Sequence, residues 1–379
     1  MTLIYITNTR LPSEKANSYQ SMQMCHHFAK HFDSVELWIP KAHNTEELNQ
    51  VNDIYSFYNI KKNFVIKRFF QCDLTLLKLI NEFIWANLKG LVFALNIIFN
   101  LIFLKNKDRI IFTRDWYVLK ILLLAKKMGL INYKIYYEAH KFSNRLLNNF
   151  KKIDGLVVIN KYLHLLYEDK RIPNILIAHD GVNLEEYASI PIYKYDINKD
   201  TFNIVYTGSF FKWKGVYTLA DSMRFLNNNV NLILIGGTGE YLEDLKTYIK
   251  KQNLKNITII PHMPKKETIK YIKGADVLLL PNSAKDKMSL YTSPIKLFEY
   301  MASFRPIIAS NLSSICEVLE DKKNAILFEP DNPKDLADKI NNVLNTDCHK
   351  LVHQAYEDVA EYSWNNRAVN IKNFINNNK

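Results

Sequence analysis

The sequence predicts an α/β protein with two doubly wound domains, each built on a parallel sheet that helices cover on both faces. At 379 residues, the chain is about twice as long as a common single domain. Short runs rich in β-branched and aromatic residues alternate with helical patterns, which is typical of a parallel sheet. The alternation stops near residue 183 and restarts near residue 202, so we expect two sheets.

Six runs in the first half predict the strands of the first domain. They are LIYIT (3–7), SVELWIP (34–40), RIIFTRD (109–115), KIYYEAH (134–140), GLVVINK (155–161) and NILIAHDGV (174–182). The polar stretch that follows has no clear period and contains Pro191, so residues 184–201 are predicted as a linker. The first domain is therefore expected to span residues 1–183.

A second set of six runs predicts the sheet of the second domain, residues 202–362. They are FNIVYTGS (202–209), NLILIGGTG (231–239), NITIIPHM (256–263), ADVLLLPN (275–282), PIIAS (306–310) and AILFEP (325–330). The tail from about residue 332 has a helical pattern. Its last segment, residues 363–379, is predicted as a helix that could cross back to the first domain.

The longest apolar run, residues 90–104, lies between Lys89 and Lys105 and is interrupted by Asn96 and Asn100. Its fifteen residues fall short of the roughly 20 that a spanning helix needs. One interpretation is a buried or domain-edge helix. The other is a segment that lies in the membrane interface, where its basic flanks meet anionic headgroups.

The charge balance indicates an anionic partner, because the formal net charge is +12. No arginine stripe or aromatic-basic interleaving is present, so nucleic acid is not the expected partner. The four cysteines lie far apart, which predicts neither a disulfide framework nor a zinc site. The N-terminus has a strand pattern and no signal peptide, so we expect a cytoplasmic protein, or a peripheral one on the inner face of the cell membrane.

Glycine is scarce, and its distribution points to one region. The chain has only 10 glycines, and six of them fall between Gly181 and Gly239. The predicted strand ending at Thr207 runs into GSFFKWKG (208–215), and the next strand ends in IGGTGE (235–240). Such turns present backbone N–H groups to a phosphate, and Lys214 adds an ammonium group. Two consecutive strand ends of this kind favour an anionic ligand over plain strand-to-helix connections.

The segment TSPIKLFEYMA (292–302) predicts a helix with polar groups at its start. Ser293 is expected to cap the helix and Pro294 to be its first residue, and the spacing of Ile295, Phe298 and Met301 marks its buried face. Glu299 could accept two hydrogen bonds from a vicinal diol such as a ribose. Lys296 could either pair with Glu299 as an ordinary i, i+3 couple or contact a phosphate.

In doubly wound sheets, ligands bind outside the carboxyl ends of the strands, so the expected site is a central cleft that the two domains face. His140 closes a predicted strand next to Glu138 and could shape an acceptor pocket, or it could be an ordinary loop histidine. Lys15 and Asn17 lie at the start of the first helix and are expected near the same acceptor side.

Taken together, these motifs resemble those of GT-B glycosyltransferases of family 4, which are nucleotide-sugar-dependent retaining enzymes of bacterial surface polysaccharide synthesis. The likeness is clearest over residues 200–330, where the glycine turn with its lysine, IGGTGE, the Pro-Asn near 281 and SPIKLFEYMA followed by PIIAS occur in the family's order. The first domain matches more loosely, through LPSEKANSYQ (11–20), Arg114-Asp115, EAH (138–140) and AHDGVN (178–183). The resemblance implies two Rossmann-like domains.

The resemblance also implies roles for individual residues. Lys214 would bind the donor diphosphate, Glu299 would hold the nucleotide ribose, and His140 would complete the catalytic set. The predicted donor-binding residues are Gly208, Ser209, Lys214, Gly236, Gly237, Ser293, Pro294, Ile295, Lys296 and Glu299. The predicted acceptor-side residues are Lys15, Asn17, Glu138 and His140.

Two positions depart from the family pattern. Ser209 stands where an arginine usually follows the first glycine, and Tyr291 stands at the place of the motif's first glutamate. The missing arginine removes one phosphate cation, which Lys296 or Lys212 could replace. The missing glutamate affects recognition of the donor sugar. No Asp-x-Asp triplet occurs, so we expect a metal-independent reaction with no cofactor.

The resulting functional prediction is a retaining transferase that moves a sugar from a nucleotide diphosphate-sugar to a glycan or lipid-linked acceptor. The expected partners are the donor, that acceptor and an anionic membrane surface. Two alternatives stay open: a nucleotide-sugar epimerase of GT-B fold, and a homologue that binds nucleotide sugars without turnover.

Overall fold

A computed structural model describes residues 1–71, 82–104, 108–193 and 201–378. The chain divides into two compact units. The first comprises Met1–Ile159, Leu163–Ala178 and Trp364–Lys379, and the second comprises Asn160–Tyr162 and His179–Ser363. The chain thus returns to the first unit after completing the second. In the described ranges, no helix is both long and apolar enough to cross a membrane.

The first unit is built on a seven-stranded sheet with the order β3-β2-β1-β4-β5-β6-β7. All of its neighbouring strands run parallel. The strands are β1 (Thr2–Ile6), β2 (Ser34–Pro40), β3 (Val65–Phe69), β4 (Arg109–Thr113), β5 (Lys134–Ala139), β6 (Gly155–Val158) and β7 (Ile175–Ile177). The chain runs outward from β1 to β3, returns to the other side of β1 with β4 and continues outward to β7, which is the doubly wound pattern.

The helices of the first unit follow their strands along the chain. They are α1 (Ala16–Phe28), α2 (Glu46–Asn49), α3 (Ile54–Phe57), α4 (Glu82–Ile102), α5 (Trp116–Lys127), α6 (Leu147–Phe150) and α7 (Lys161–Asp169), whose first two residues group with the second unit. The Asp115 carboxylate caps α5 by accepting a hydrogen bond of 2.9 Å from the Val118 N–H. Gly90 lets α4 approach α5 closely, because a Cβ there would lie 2.7 Å from the Tyr117 ring.

The C-terminal helix α16 (Trp364–Asn377) completes the first unit. Its Phe374 ring lies against Gly155 at the start of β6, where a Cβ would come within 2.6 Å of the ring. The Tyr136 hydroxyl of β5 donates a hydrogen bond of 3.3 Å to the Ile375 carbonyl. Trp364 is fully buried. These contacts make α16 part of the core of the first unit.

The second unit is built on a six-stranded parallel sheet with the order β10-β9-β8-β11-β12-β13. Its strands are β8 (Phe202–Thr207), β9 (Val230–Ile235), β10 (Ile257–Ile260), β11 (Val277–Leu280), β12 (Ile307–Ser310) and β13 (Ile326–Phe328). The central strands β8, β9 and β11 are buried over most of their length. Such continuously apolar strands are expected when helices cover both faces.

The helices of the second unit begin with α8 (Leu184–Ser189), which lies within the predicted linker. The others are α9 (Val216–Ser222), α10 (Gly239–Lys251), α11 (Lys265–Gly274), α12 (Ile295–Met301), α13 (Ser313–Cys316), α14 (Pro333–Leu344) and α15 (His349–Asp358). Tyr187 of α8 and Ile190 beyond it belong to the core of the second unit. The rest of the predicted linker from residue 194 to 200 lies outside the described residues.

The structure confirms the predicted fold class, with two doubly wound parallel sheets. Every predicted strand is present. One strand, β3, was not predicted, because Lys67 and Arg68 interrupt its apolar pattern at the edge of the sheet. The apolar run 90–104 contributes to α4 through residue 102. One face of α4 is buried, with Phe93 and Ile97 inaccessible to solvent, and the other is exposed.

Candidate functional site

The glycine-rich turn after β8 requires backbone conformations that side chains rarely adopt. Gly208 has φ 128° and Gly215 has φ 75°. A Cβ on Gly215 would lie 1.8 Å from the Pro281 carbonyl oxygen, so only glycine fits between this turn and the loop after β11. The Ser283 N–H donates a hydrogen bond of 2.9 Å to the Trp213 carbonyl and joins the same two segments.

The turn after β9 packs directly against the turn after β8. A Cβ on Gly236 would lie 2.4 Å from the Gly208 carbonyl oxygen, and one on Gly237 would lie 2.2 Å from the Phe210 ring. Both glycines have positive φ, 117° and 72°. The structure thus brings together four of the predicted donor-binding residues, Gly208, Ser209, Gly236 and Gly237, at the carboxyl ends of adjacent strands.

Lys296 extends from α12 to the same place. Its side chain is 8% exposed, and its ammonium donates a hydrogen bond of 3.1 Å to the carbonyl of Thr207, the last residue of β8. The ammonium lies 3.6 Å from the centre of the Tyr206 ring, which adds a cation–π contact. It is also close to Gly208, where a Cβ would lie 3.6 Å away. Lys296 therefore places a buried positive charge beside the glycine turn.

Lys214 supplies a second positive charge in this region. Its ammonium lies 3.8 Å from the centre of the neighbouring Trp213 ring. Burial lowers the pKa of Lys214 to about 7. Burial also lowers the pKa of Lys296, and the charge of Lys214 lowers it further, while Glu299 opposes the shift. Within the described ranges, no salt bridge joins either lysine to a carboxylate, so a multiply charged anion would stabilise both charged forms.

Glu299 lies on α12 and is 5% exposed. The ammonium of Lys265, the first residue of α11, forms a hydrogen-bonded ion pair with its Oε1. Of the two alternatives considered for Lys296, the direct ion pair with Glu299 does not form. Lys296 turns instead to the Thr207 carbonyl, and Lys265 takes the place beside the carboxylate. The Lys265 contact joins two helices and was not predicted.

The start of α12 differs from the prediction at three residues. Helix α12 begins at Ile295, and Pro294 occupies the capping position. Ser293 does not cap the helix, because its hydroxyl accepts a hydrogen bond of 3.0 Å from the Asp180 N–H. The predicted buried face is confirmed at Phe298 and Met301, whereas Ile295 is only half-buried. Ser293 thus joins the loop after β7 to the start of α12.

In the first unit, Glu138 lies near the end of β5 and its side chain is inaccessible to solvent. Its carboxylate accepts hydrogen bonds from Gln20 Nε2 at 2.9 Å, Arg367 Nη2 at 3.0 Å and His140 Nε2 at 2.5 Å. Burial alone would raise the pKa of Glu138, but Arg367 and His140 outweigh it and hold the pKa well below the usual range. Glu138 is therefore ionised although it is buried.

The ionised partner fixes the orientation of His140. A carboxylate only accepts hydrogen bonds, so the Nε2 of His140 carries a proton and donates a hydrogen bond to Glu138. The side chain is 27% exposed. Arg114 donates a hydrogen bond to Gln20, which itself donates to Glu138. Residues from α1, α16 and the loop after β4 therefore meet around the β5 carboxylate that binds His140.

Lys15 and Asn17 lie at the start of α1, and both are exposed. The Lys15 N–H donates to the Ser13 hydroxyl at 3.2 Å, and the Asn17 carbonyl accepts from the Ser21 hydroxyl at 2.9 Å. It is Gln20, one turn further along α1, that reaches Glu138. The roles of Lys15 and Asn17 on the acceptor side stay predictions.

Among the described residues, no group of three or more His, Cys, Asp or Glu side chains is arranged to hold a metal ion. Metal independence of the reaction stays a prediction from the sequence.

Comparisons with known proteins agree with this architecture. Residues 192–362 match the family model described as glycosyl transferases group 1. The chain is 22% identical over 221 residues to an uncharacterised glycosyltransferase of Methanocaldococcus jannaschii, covering 58% of each protein. It is 24% identical over 202 residues, 52% of the chain, to WcaL of Escherichia coli, whose name ties it provisionally to colanic acid biosynthesis. These matches span 58% and 49% of the two relatives, about half of their length.

Among solved structures, Anabaena HepE in complex with UDP-glucose matches with a TM-score of 0.74 at 14% identity and covers 100% of both chains. The chain thus has the GT-B fold. The match of residues 192–362 to the group 1 glycosyl transferases confirms, over that part of the chain, the resemblance predicted from the motifs. Assignment to family 4 in particular stays a prediction.

We predict that Arg367→Met destabilises the first unit. The substitution removes the positive charge beside the buried Glu138 carboxylate and leaves it with donors only from Gln20 and His140. We expect the free energy of unfolding to fall by about 3–5 kcal/mol. Urea unfolding followed by circular dichroism measures the change. Arg367→Lys is the matched control, because it keeps the charge and should cost less. A decrease in the free energy of unfolding below about 0.5 kcal/mol for Arg367→Met would show that Arg367 does not stabilise the first unit through Glu138.

We also predict that binding of a nucleoside diphosphate at pH 8 takes up protons. With a pKa of about 7, Lys214 is mostly neutral at pH 8, and a bound anion raises that pKa. Affinity should therefore fall as the pH rises above about 7. Calorimetric titrations with UDP in buffers of different ionisation enthalpy measure the uptake. Lys214→Met should reduce it, and equal heats in all buffers would contradict the prediction.

Proposed function

We propose that this protein is a retaining glycosyltransferase. It would move a sugar from a nucleotide diphosphate-sugar to a glycan or lipid-linked acceptor in the synthesis of bacterial surface polysaccharide, such as capsule, lipopolysaccharide or exopolysaccharide. The observation that carries the proposal is the placement of Lys214 and Lys296 beside the paired glycine turns, where no salt bridge of the described residues neutralises them. The family match over residues 192–362 supports it.

In this proposal, the glycine turns and the two lysines bind the donor diphosphate. Negative charge grows on the diphosphate as the bond to the sugar breaks. Positive groups already fixed in position stabilise that charge without reorganising, which lowers the barrier. Lys296 replaces the arginine that is Ser209 here, because its ammonium already lies beside Gly208. Lys212 is exposed and is the weaker candidate for that role.

Glu299 would bind the ribose of the nucleotide. A buried carboxylate can accept two hydrogen bonds from a vicinal diol, and the charge-assisted bonds are strong. The ion pair with Lys265 holds the carboxylate in place before the donor arrives. The backbone at Ser293, Pro294 and Ile295 lies at the start of the same helix and would line the donor site.

His140 would contact the reacting sugars from the first unit. The hydrogen bond from Nε2 to Glu138 would hold the imidazole ring in position to contact a sugar hydroxyl. Glu138 would act as a positioning residue. For the chemical step, we propose that the acceptor oxygen bonds to the anomeric carbon on the face from which the diphosphate departs, while a phosphate oxygen of the departing diphosphate accepts the proton of the acceptor hydroxyl. Bond formation on that face retains the anomeric configuration without a protein nucleophile.

Tyr291, which replaces the first glutamate of the family motif, lies 5.8 Å from Tyr162 between ring centres. An aromatic residue there would contact the donor sugar through its ring face rather than through a carboxylate. We further propose that the reaction takes place at the cytoplasmic face of the cell membrane, where a lipid-linked acceptor is available.

A panel of nucleotide sugars, offered with and without acceptor glycans, tests the proposed activity. Release of nucleoside diphosphate that depends on acceptor, with the new linkage in the same anomeric configuration as the donor, is the expected result. Interconversion of the sugar without acceptor would make the protein an epimerase. Binding of donors without either reaction would make it a non-catalytic homologue. Each of the last two outcomes overturns the proposal.

We predict that Lys214→Ala and Glu299→Ala each weaken donor binding about 10- to 100-fold, since each removes a charged hydrogen-bonding group worth roughly 1.5–3 kcal/mol. Titration calorimetry with UDP-sugars measures the affinity, and thermal melting confirms that the variants fold. Lys212→Ala, an exposed lysine of the same turn, is the matched control and should change affinity little. Unchanged affinity in both site variants would refute the assignment.

A further inference from the structure

One face of α4 presents a stripe of exposed apolar side chains. Ile84, Leu91, Leu95, Phe99 and Ile102 recur at three-, four- and seven-residue steps, which places them on one side of the helix. They are 38–63% exposed, and Phe103 directly after the helix is 67% exposed. The opposite side of α4 is buried in the first unit. We call this set of six side chains the apolar stripe.

A cavity of about 290 Å³ lies between α4 and the edge of the sheet. Its lining combines aromatic, cationic and amide side chains: Trp38, Lys67, Arg68, Phe69, Asn100 and Leu104. The Trp38 and Phe69 rings pack at 4.6 Å between centres. Phe70, the next residue after β3, is 63% exposed. This edge pocket is therefore next to the same exposed apolar surface.

The edge pocket is positively charged. Lys67 pairs with Glu36 at 2.9 Å and lies 5.7 Å from the centre of the Trp38 ring. Arg68 is exposed, and in the described part of the chain no salt bridge joins it to a carboxylate. Lys89 adds a charge on the flank of α4 that faces β3, 4.5 Å from the Trp85 ring centre. Tryptophan beside lysine at the margin of an apolar surface is typical of a membrane interface.

We propose that the apolar stripe and the edge pocket form one surface that docks on an anionic lipid bilayer. The stripe enters the boundary between headgroups and acyl chains, and the pocket takes a headgroup phosphate. Helix α4 would lie in the plane of the interface, since the described helices are not suited to cross a membrane. A net charge of +12 attracts the protein to such a surface over longer distances.

A second copy of the chain fits this surface less well than a bilayer does. In a two-fold dimer the same patch contacts itself, so Arg68 and Lys89 of both copies would approach each other. Anionic headgroups supply the opposite charge to every one of these groups. This surface would bring the protein to the membrane location proposed above, and its binding to lipid can be measured without sugar transfer.

Co-sedimentation of the full chain with phosphatidylcholine vesicles, with and without phosphatidylglycerol, tests this inference. We expect binding to the anionic vesicles that exceeds binding to neutral vesicles at least tenfold and weakens as salt is added. The double variant Phe99→Ser/Phe103→Ser should lose at least tenfold in vesicle affinity, and Arg68→Glu should lose severalfold. Calorimetry with UDP checks that each variant keeps a folded second unit, and circular dichroism checks the first.

The matched control is Phe225→Ser with Lys251→Glu, which changes an exposed phenylalanine and an exposed lysine of the second unit. It should bind vesicles like the unchanged protein. Absence of vesicle binding, equal binding to neutral vesicles, or unchanged binding of the stripe variants would overturn the proposal. A further result would also overturn it: inorganic phosphate raises the melting temperature of the unchanged protein, and Arg68→Glu abolishes that shift without changing vesicle binding. The pocket would then bind a soluble anion rather than a headgroup. If the unchanged protein binds vesicles but does not bind UDP, the result would count against the proposed donor site and not against the membrane surface.

Discussion

The second unit is organised around two lysines held close together, and in the described structure no salt bridge joins either of them to a carboxylate. Such an arrangement is unfavourable for folding, because burial lowers the pKa values of Lys214 and Lys296, and the charge of Lys214 lowers that of Lys296 further. It persists because the surrounding structure fixes it. The Thr207 carbonyl and the Tyr206 ring hold Lys296, and the Trp213 ring holds Lys214. Two lysines with lowered pKa values are suited to bind a ligand that carries several negative charges, because such a ligand stabilises their charged forms.

The glycines explain how these charges come to lie at the carboxyl ends of β8 and β9. Gly208 and Gly236 let the ends of β8 and β9 touch, and Gly215 lets the loop after β11 approach the first turn. Any Cβ at Gly215 or Gly236 would force these segments apart and move the lysines with them. In the first unit the constraint is different: one buried carboxylate, Glu138, gathers donors from three other parts of the chain. Both arrangements fix the position of a polar group before any ligand binds.

The sequence was sufficient to predict the fold class and the two glycine turns, because strand alternation and positive-φ turns leave local patterns. It was also sufficient to place Lys214, Lys296 and Glu299 near one strand end. It did not predict that Lys265 rather than Lys296 would pair with Glu299, since that contact joins residues 34 positions apart. Nor could it predict Arg367, which is 229 positions from its partner Glu138. Helical spacing suggests neighbours within a helix, but only the tertiary fold decides between competing partners. Ser293 shows the same limit, because a capping pattern was overridden by a hydrogen bond from Asp180.

The position of α16 has a consequence for how the chain is made. The helix that carries Arg367 and packs Phe374 against Gly155 is synthesised after the whole second unit, yet it belongs to the core of the first. During translation, the second unit can therefore fold while the first still lacks one of its layers and keeps Glu138 without its main cationic partner. The first unit therefore begins to emerge from the ribosome before the second unit, but its fold is completed after that of the second.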